Sequence, residues 1–195
     1  MSSPRRVLSL ALMLSFVSTF LAGCFGGKYE SADYRVVMKD GAFEVRDYPA
    51  MTLVSTSMQK RGEDGSFMKL FRFISGRNDH SQKIAMTTPV LMTGMESGTM
   101  SFVLPKAVAE RGAPAPSNPD VSLVTRAAGR YASLRYQGFI NRVHGEAMAE
   151  KLVAWTKEQK LSTRGEPVYA FYNPPWTPGF MRRNEVLIQL VPPHP

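Results

Sequence analysis

A chain of 195 residues, 44% hydrophobic and 21% charged, is long enough for one domain with a sizeable core and has the balance of a soluble globular protein. Its formal charge of +8 is not gathered into a basic run, which argues against a nucleic-acid-binding arm. The single cysteine, Cys24, excludes an intramolecular disulfide.

Residues 1–23 stand apart from that domain. Arg5 and Arg6 precede an uncharged apolar stretch, 7–23, which is the design of an export signal. An apolar run of about 18 residues is also just able to span a bilayer. Cys24 directly follows "LAG", and that tetrapeptide resembles the lipobox of bacterial lipoproteins. There, small residues precede the cleaved bond and the thiol takes a diacylglycerol. The expectation is a signal peptide at 1–23, a lipidated Cys24 and a flexible tether over 24–33. Cleavage would remove two arginines from twenty-four basic residues against sixteen acidic ones, leaving +6, a charge suited to anionic headgroups or an anionic ligand. Nine residues of leash would hold the domain within about 30 Å of the lipid. Phe25 stands where an aspartate would mark inner-membrane retention. The expected location is therefore the bacterial cell envelope, on the outer membrane facing the periplasm.

The domain itself opens at residue 34. Two apolar runs in 34–49 flank Asp40-Gly41, a favoured pair for a tight hairpin turn. Residues 50–58 continue as a strand, and 65–76 have a helical period, with Ser66 as candidate N-cap and Gly76 as stop. "KIAMTTPVLM" (83–92) and "TMSFVLP" (99–105) read as two strands. Residues 106–120 hold three prolines and little periodicity, as a long surface connection should.

The second half repeats the order. Residues 121–139 give two strands around Gly129, and 145–160 a second helix with Met148, Leu152 and Trp155 on one face. Residues 167–176 and 184–191 close it as strands. Each half is thus ββ-α-ββ. The predicted fold is α+β, a distorted antiparallel β-barrel made of two pseudo-repeats and flanked by two helices. Pro89 and Pro174 fall at matching places in the repeat, confined to a strand edge or bulge. Met86 and Met92 then read as core filler rather than sulfur ligands.

"KLFRFISGRND", "IAMTTPVLM", "APAPSNPDVSL", "YNPPW" and "RRNEV" occur in an order that resembles the SOUL haem-binding proteins, from about residue 34 to 190. The resemblance implies the two-repeat barrel and non-covalent binding of haem or another tetrapyrrole in an apolar groove beside the first helix. That groove would be closed by the loop before the last strand. Carried over residue by residue, the groove holds Phe67, Phe71 and Arg72 on the helix and Trp176 in the loop. Arg182 and Arg183 lie a few positions on. Many haem-binding members carry methionines where this chain has Phe67 and Phe71, and a lysine near the place of Thr177.

The residues themselves agree with a groove. Phe67, Met68, Leu70, Phe71, Phe73 and Ile74 span an arc of about 220°, twice the roughly 100° stripe that core burial requires. One side can pack on a sheet while Phe67, Met68 and Phe71 border a groove, with Arg72 on its rim. His80 lies in a polar loop, His144 just before the second helix and His194 in the tail. None sits in a ligand motif, so haem is expected without a dedicated axial ligand, and the absent CxxCH excludes covalent attachment. No nucleophile elbow, metal-spaced cluster or phosphate loop is present, so no enzyme is expected. The reading is a membrane-tethered, non-catalytic tetrapyrrole carrier. The alternative is an envelope interaction or effector-binding module on the same barrel, taking another apolar ligand or a protein partner.

Overall fold

The computed structural model of the chain describes residues 29–191. The expected signal peptide, Cys24 and the first part of the tether lie outside the described residues, as does His194. The described chain opens with β1 (Glu30–Ser31), the hairpin β2 (Arg35–Asp40) and β3 (Phe43–Tyr48), and β4 (Met51–Met58). Helix α1 (Ser66–Ile74) leads to β5 (Thr87–Thr88), β6 (Val90–Met92) and β7 (Gly98–Val103). A short helix, α2 (Lys106–Arg111), precedes β8 (Val121–Arg126) and β9 (Gly129–Tyr136). Helix α3 (Arg142–Glu158), β10 (Thr163–Phe171), a 3-10 turn at Gly179–Met181 and β11 (Asn184–Leu190) complete it. β1 lies within the segment read as a tether and pairs parallel with β5.

Nine strands form one antiparallel sheet in the order β2-β3-β9-β11-β10-β6-β7-β4-β8. The sheet is open, and the expected β-barrel is not formed. β2 pairs only with β3 and β8 only with β4, so two edges remain. Closure needs neighbouring backbones about 4.8 Å apart. No ladder joins β8 to β2 or to β3, and β9, which follows β8 in the chain, is already paired on both sides, with β3 and β11. Charged residues such as Arg35, Lys39 and Asp40 on β2 keep that edge from pairing with another chain.

Leaving β2 aside, the strand order maps onto itself when β3 exchanges with β8, β4 with β9, β6 with β10 and β7 with β11. The leading strand of each unit crosses over to pair with the other unit. Pro89 and Pro174 do not match within this order. Pro89 stands immediately before β6, whereas Pro174 lies beyond the end of β10. The segment read as a bare connection contains α2, a third helix on the described chain, which starts directly after Pro105 and buries no residue.

Strand alternation gives the sheet two unlike faces. One carries Val54, Met92, Phe102, Leu134 and Val186, and the main core forms here under α1 and α3. α1 contributes Leu70, Phe73 and Ile74, each burial favouring the fold by about 1.5–3 kcal/mol. Met92 lies in this core and Met86 packs against it. Neither α1 nor α3 packs on the opposite face, which has a smaller apolar cluster around Leu53, Leu91, Tyr131 and Leu187.

Candidate functional site

Helix α1 starts from a clamped loop. Gly65 takes φ +69°, and no side chain caps the helix. Ser66, expected as the cap, is the first helical residue. Its amide donates to Asp64 Oδ1 at 2.9 Å, and the Gln59 amide donates to Asp64 Oδ2 at 2.6 Å. Partial burial alone would raise the Asp64 pKa. The amide hydrogen bonds outweigh it and hold the carboxyl at about 2. With its buried stripe on the sheet, the helix leaves Phe67, Met68 and Phe71 42–45% exposed. Phe67 stacks on Phe71 at 6.2 Å and meets Phe102 edge-on at 5.2 Å.

A second apolar bank faces solvent at the loop before β11. Trp176 is 81% exposed, and Phe139, Phe180 and Met181 are exposed beside it in sequence or space. The Gly138 amide donates to the Gly179 carbonyl at 3.0 Å, joining the 138–139 and 176–181 segments. A Cβ on Gly179 would come within 2.8 Å of the Phe139 ring, so glycine lets that exposed ring lie close over the turn. Arg182 pins the loop from below. It donates to the Thr177 carbonyl at 2.8 Å and to the Pro175 carbonyl, and lies 5.0 Å from the Phe139 ring.

The register relates the two banks. Phe102, Val90, Phe171 and Asn184 are successive partners across β7, β6, β10 and β11 on the helix-bearing face. Phe67 stands on Phe102 at one end, while the Asn184 side-chain Nδ2 donates to the Gly138 carbonyl at the other. Three strand steps of about 4.8 Å separate these ends by roughly 14 Å. Val90 between them is only partly buried.

Arg61, in the loop before α1, reaches the segment that follows Phe139. Its Nη1 donates to the Ile140 carbonyl at 3.5 Å, and its Nε is buried with no hydrogen-bond partner among the described residues. An orphaned guanidinium N–H suits an anionic partner. Sequence reading missed Arg61, which sits in a polar loop with no motif.

A protein-family profile described as SOUL heme-binding protein matches residues 29–189. The chain belongs to that family. Its members are binding proteins rather than catalysts, in line with the absence of enzyme motifs. No curated protein matches the chain. Among solved structures, the EcmrR C-terminal domain is 9% identical, with a TM-score of 0.55 over 81% of this chain and 98% of its own. A hydrolase from Listeria innocua is 12% identical, with a TM-score of 0.52 over 80% and 94%. At these identities the likeness is one of fold.

The remaining residues that the SOUL resemblance singled out sit elsewhere. Arg72 faces away from the second bank and lines a cleft with Lys69, Arg77 and the 116–119 segment. Arg183 lies on the face opposite α1 and α3, 3.8 Å over the Tyr172 ring, and donates to Glu185 Oε1 at 2.8 Å and to Tyr34. Glu185 is fully buried and also accepts from Arg46 at 2.6 and 3.1 Å and from Tyr172 at 3.0 Å. Burial alone would raise the Glu185 pKa, but the Arg46 bonds and the two arginine charges keep it below the usual range. Arg182 and Arg183 are thus committed to protein partners. His80 is exposed near Asp79, and His144 packs 5.1 Å from Tyr136 in the first turn of α3.

Proposed function

We propose that this SOUL-family chain is a non-catalytic carrier of haem or a related tetrapyrrole, held at a membrane by a lipidated Cys24. The observation that carries the binding reading is the pair of exposed aromatic banks over the Phe102–Val90–Phe171–Asn184 row, with the Arg61 Nε left without a partner in the loop before α1. Phe67, Met68 and Phe71 would hold one side of the macrocycle, and Trp176 and Phe180 the other. Arg61 would pair with a carboxylate. The bound group would supply its absorbance and its iron; this chain supplies apolar cover and one cation. The lipobox at Cys24 and the short leash that follows it support the tether, in the envelope of a bacterium.

Absorbance titration of the domain with haemin tests the binding reading. A saturable Soret shift is expected. Charge-assisted hydrogen bonds are worth about 1.5–3 kcal/mol, so Arg61→Ala should weaken affinity roughly ten- to hundredfold. Phe71→Asp, which puts a charge into the apolar bank, should do more harm, while His80→Ala should leave the titration unchanged. A titration that Phe71→Asp and Arg61→Ala both leave intact sinks this site.

A further inference from the structure

The sheet face opposite α1 and α3 holds a cleft of about 660 Å³ that the tetrapyrrole reading does not use. Its floor follows from the strand alternation. Ser122, Ser55 and Ser101 are register partners across β8, β4 and β7, and the Ser55 and Ser101 hydroxyls bond at 2.8 Å. One position along, on the opposite face, Val54 pairs with Phe102 in the packed core. The same strands therefore carry bulk on one side and serine on the other, which leaves the volume open. Leu53, Leu91 and Val168 give the cleft apolar walls. This size and mixture fall within the range of small-molecule sites.

The rim carries charge. Arg126 and Arg164 line it together with Asp120 and Glu166. Asp120 is paired with Lys69 at 3.0 Å. Arg126 uses only its Nε, on the Tyr131 hydroxyl. Its terminal nitrogens, and the side chains of Arg164 and Glu166, make no hydrogen bond or ion pair among the described residues. Two cations with unused terminal nitrogens thus oppose one free acid. Arg164 reaches the rim from an irregularity in β10, where the register shifts between Arg164 and Val168 and Gly165 takes φ +71°. Such bulges re-aim side chains at sites.

We infer that this cleft is a second binding site, for a small organic anion with an apolar body and a carboxylate or sulfonate end. The anion meets Arg126 and Arg164 at the rim, and the body lies against Leu53, Leu91 and Val168 over the serine floor. This site is separate from the aromatic banks, which lie on the other face of the sheet.

The amphiphilic sulfonate 8-anilinonaphthalene-1-sulfonate is a suitable probe, followed by its fluorescence and by amide chemical shifts of the labelled domain. Saturable binding is expected, with shifts centred on Ser55, Ser101 and Ser122. Arg126→Gln should weaken it about tenfold through loss of the charge-assisted contact, and Ser101→Leu should abolish it by filling the floor. Haemin affinity should be unchanged in Arg126→Gln, and probe binding unchanged in Phe71→Asp, so this site and the tetrapyrrole site fail independently. Shifts confined to α1 and the 176–181 loop overturn the inference, as does probe affinity that Arg126→Gln leaves at the wild-type value. The shift map stands on the wild-type domain even if Ser101→Leu does not fold.

Discussion

At the scale of single residues, what the sequence hides is partnership. Arg46 and Glu185 are ordinary charged residues 139 positions apart, yet they meet at 2.6 Å with almost no exposure. No periodicity announces such a pair, because pattern tells which face a residue occupies and not what crosses the sheet to meet it. The same reason hid Arg61 and made Arg183 look free. Glu185 neutralises two arginines at once, so its charge matters more than its hydrogen-bond capacity. Glu185→Gln keeps the shape, leaves Arg183 without a counter-charge and leaves Arg46 with Glu44 alone, 2.8 Å from its Nε. Breaking a buried pair in this way costs about 3–5 kcal/mol. Urea unfolding should report a loss of that order, and a loss below about 1 kcal/mol would show that the two arginines find water instead.

At the scale of elements, α1 was the most legible part of the chain. Its surplus apolar arc foretold the exposure of Phe67, Met68 and Phe71, because helical spacing fixes both faces at once. Its start was misplaced by the appeal of Ser66. The anchor is Asp64, two residues earlier, which gathers three amides and leaves the serine inside the helix. α2 escaped notice because six residues after a proline, with no buried face, give no periodic signal. The Asp64 clamp makes a pH prediction. Its folded pKa, about 2, is depressed below the ordinary value of about 3.9. A depressed carboxyl contributes stability that is present above the unfolded value and lost as pH falls through the folded one. Asp64→Asn removes the charge that the amides favour. The gap in thermal midpoint between wild type and Asp64→Asn should therefore be full above about pH 4 and close as the pH falls towards about 2. A gap that stays constant over that range would mean that the charge is not what holds the loop.

At the scale of the whole molecule, the repeat was readable and the closure was not. Two ββ-α-ββ units follow from composition and turn signals. Which strands meet depends on the crossover that sends β3 to β9 and β8 to β4, and no local pattern announces it. The open sheet leaves one face with aromatic banks and the opposite face with a serine-floored cleft. It also places the start of the described chain: Tyr34 receives a hydrogen bond from Arg183 at 3.2 Å, and β11 begins directly after that arginine. The chain therefore enters the fold at the sheet end that holds the 176–181 loop. Among the described residues no helix is long and apolar enough to cross a membrane, and the proposed tether acts through Cys24. One diacylated cysteine carries two chains, and two are what stable anchoring takes. Cys24→Ser expressed with its leader in a bacterial host should move the protein from the membrane pellet to the soluble fraction, and metabolic labelling with a palmitate analogue should fall to background. Retention of the serine variant in the pellet after a high-salt wash, which removes charge-held protein, would rule out the lipid as the anchor. The exposed Trp176, Phe180 and Met181 would then be the next surface to test.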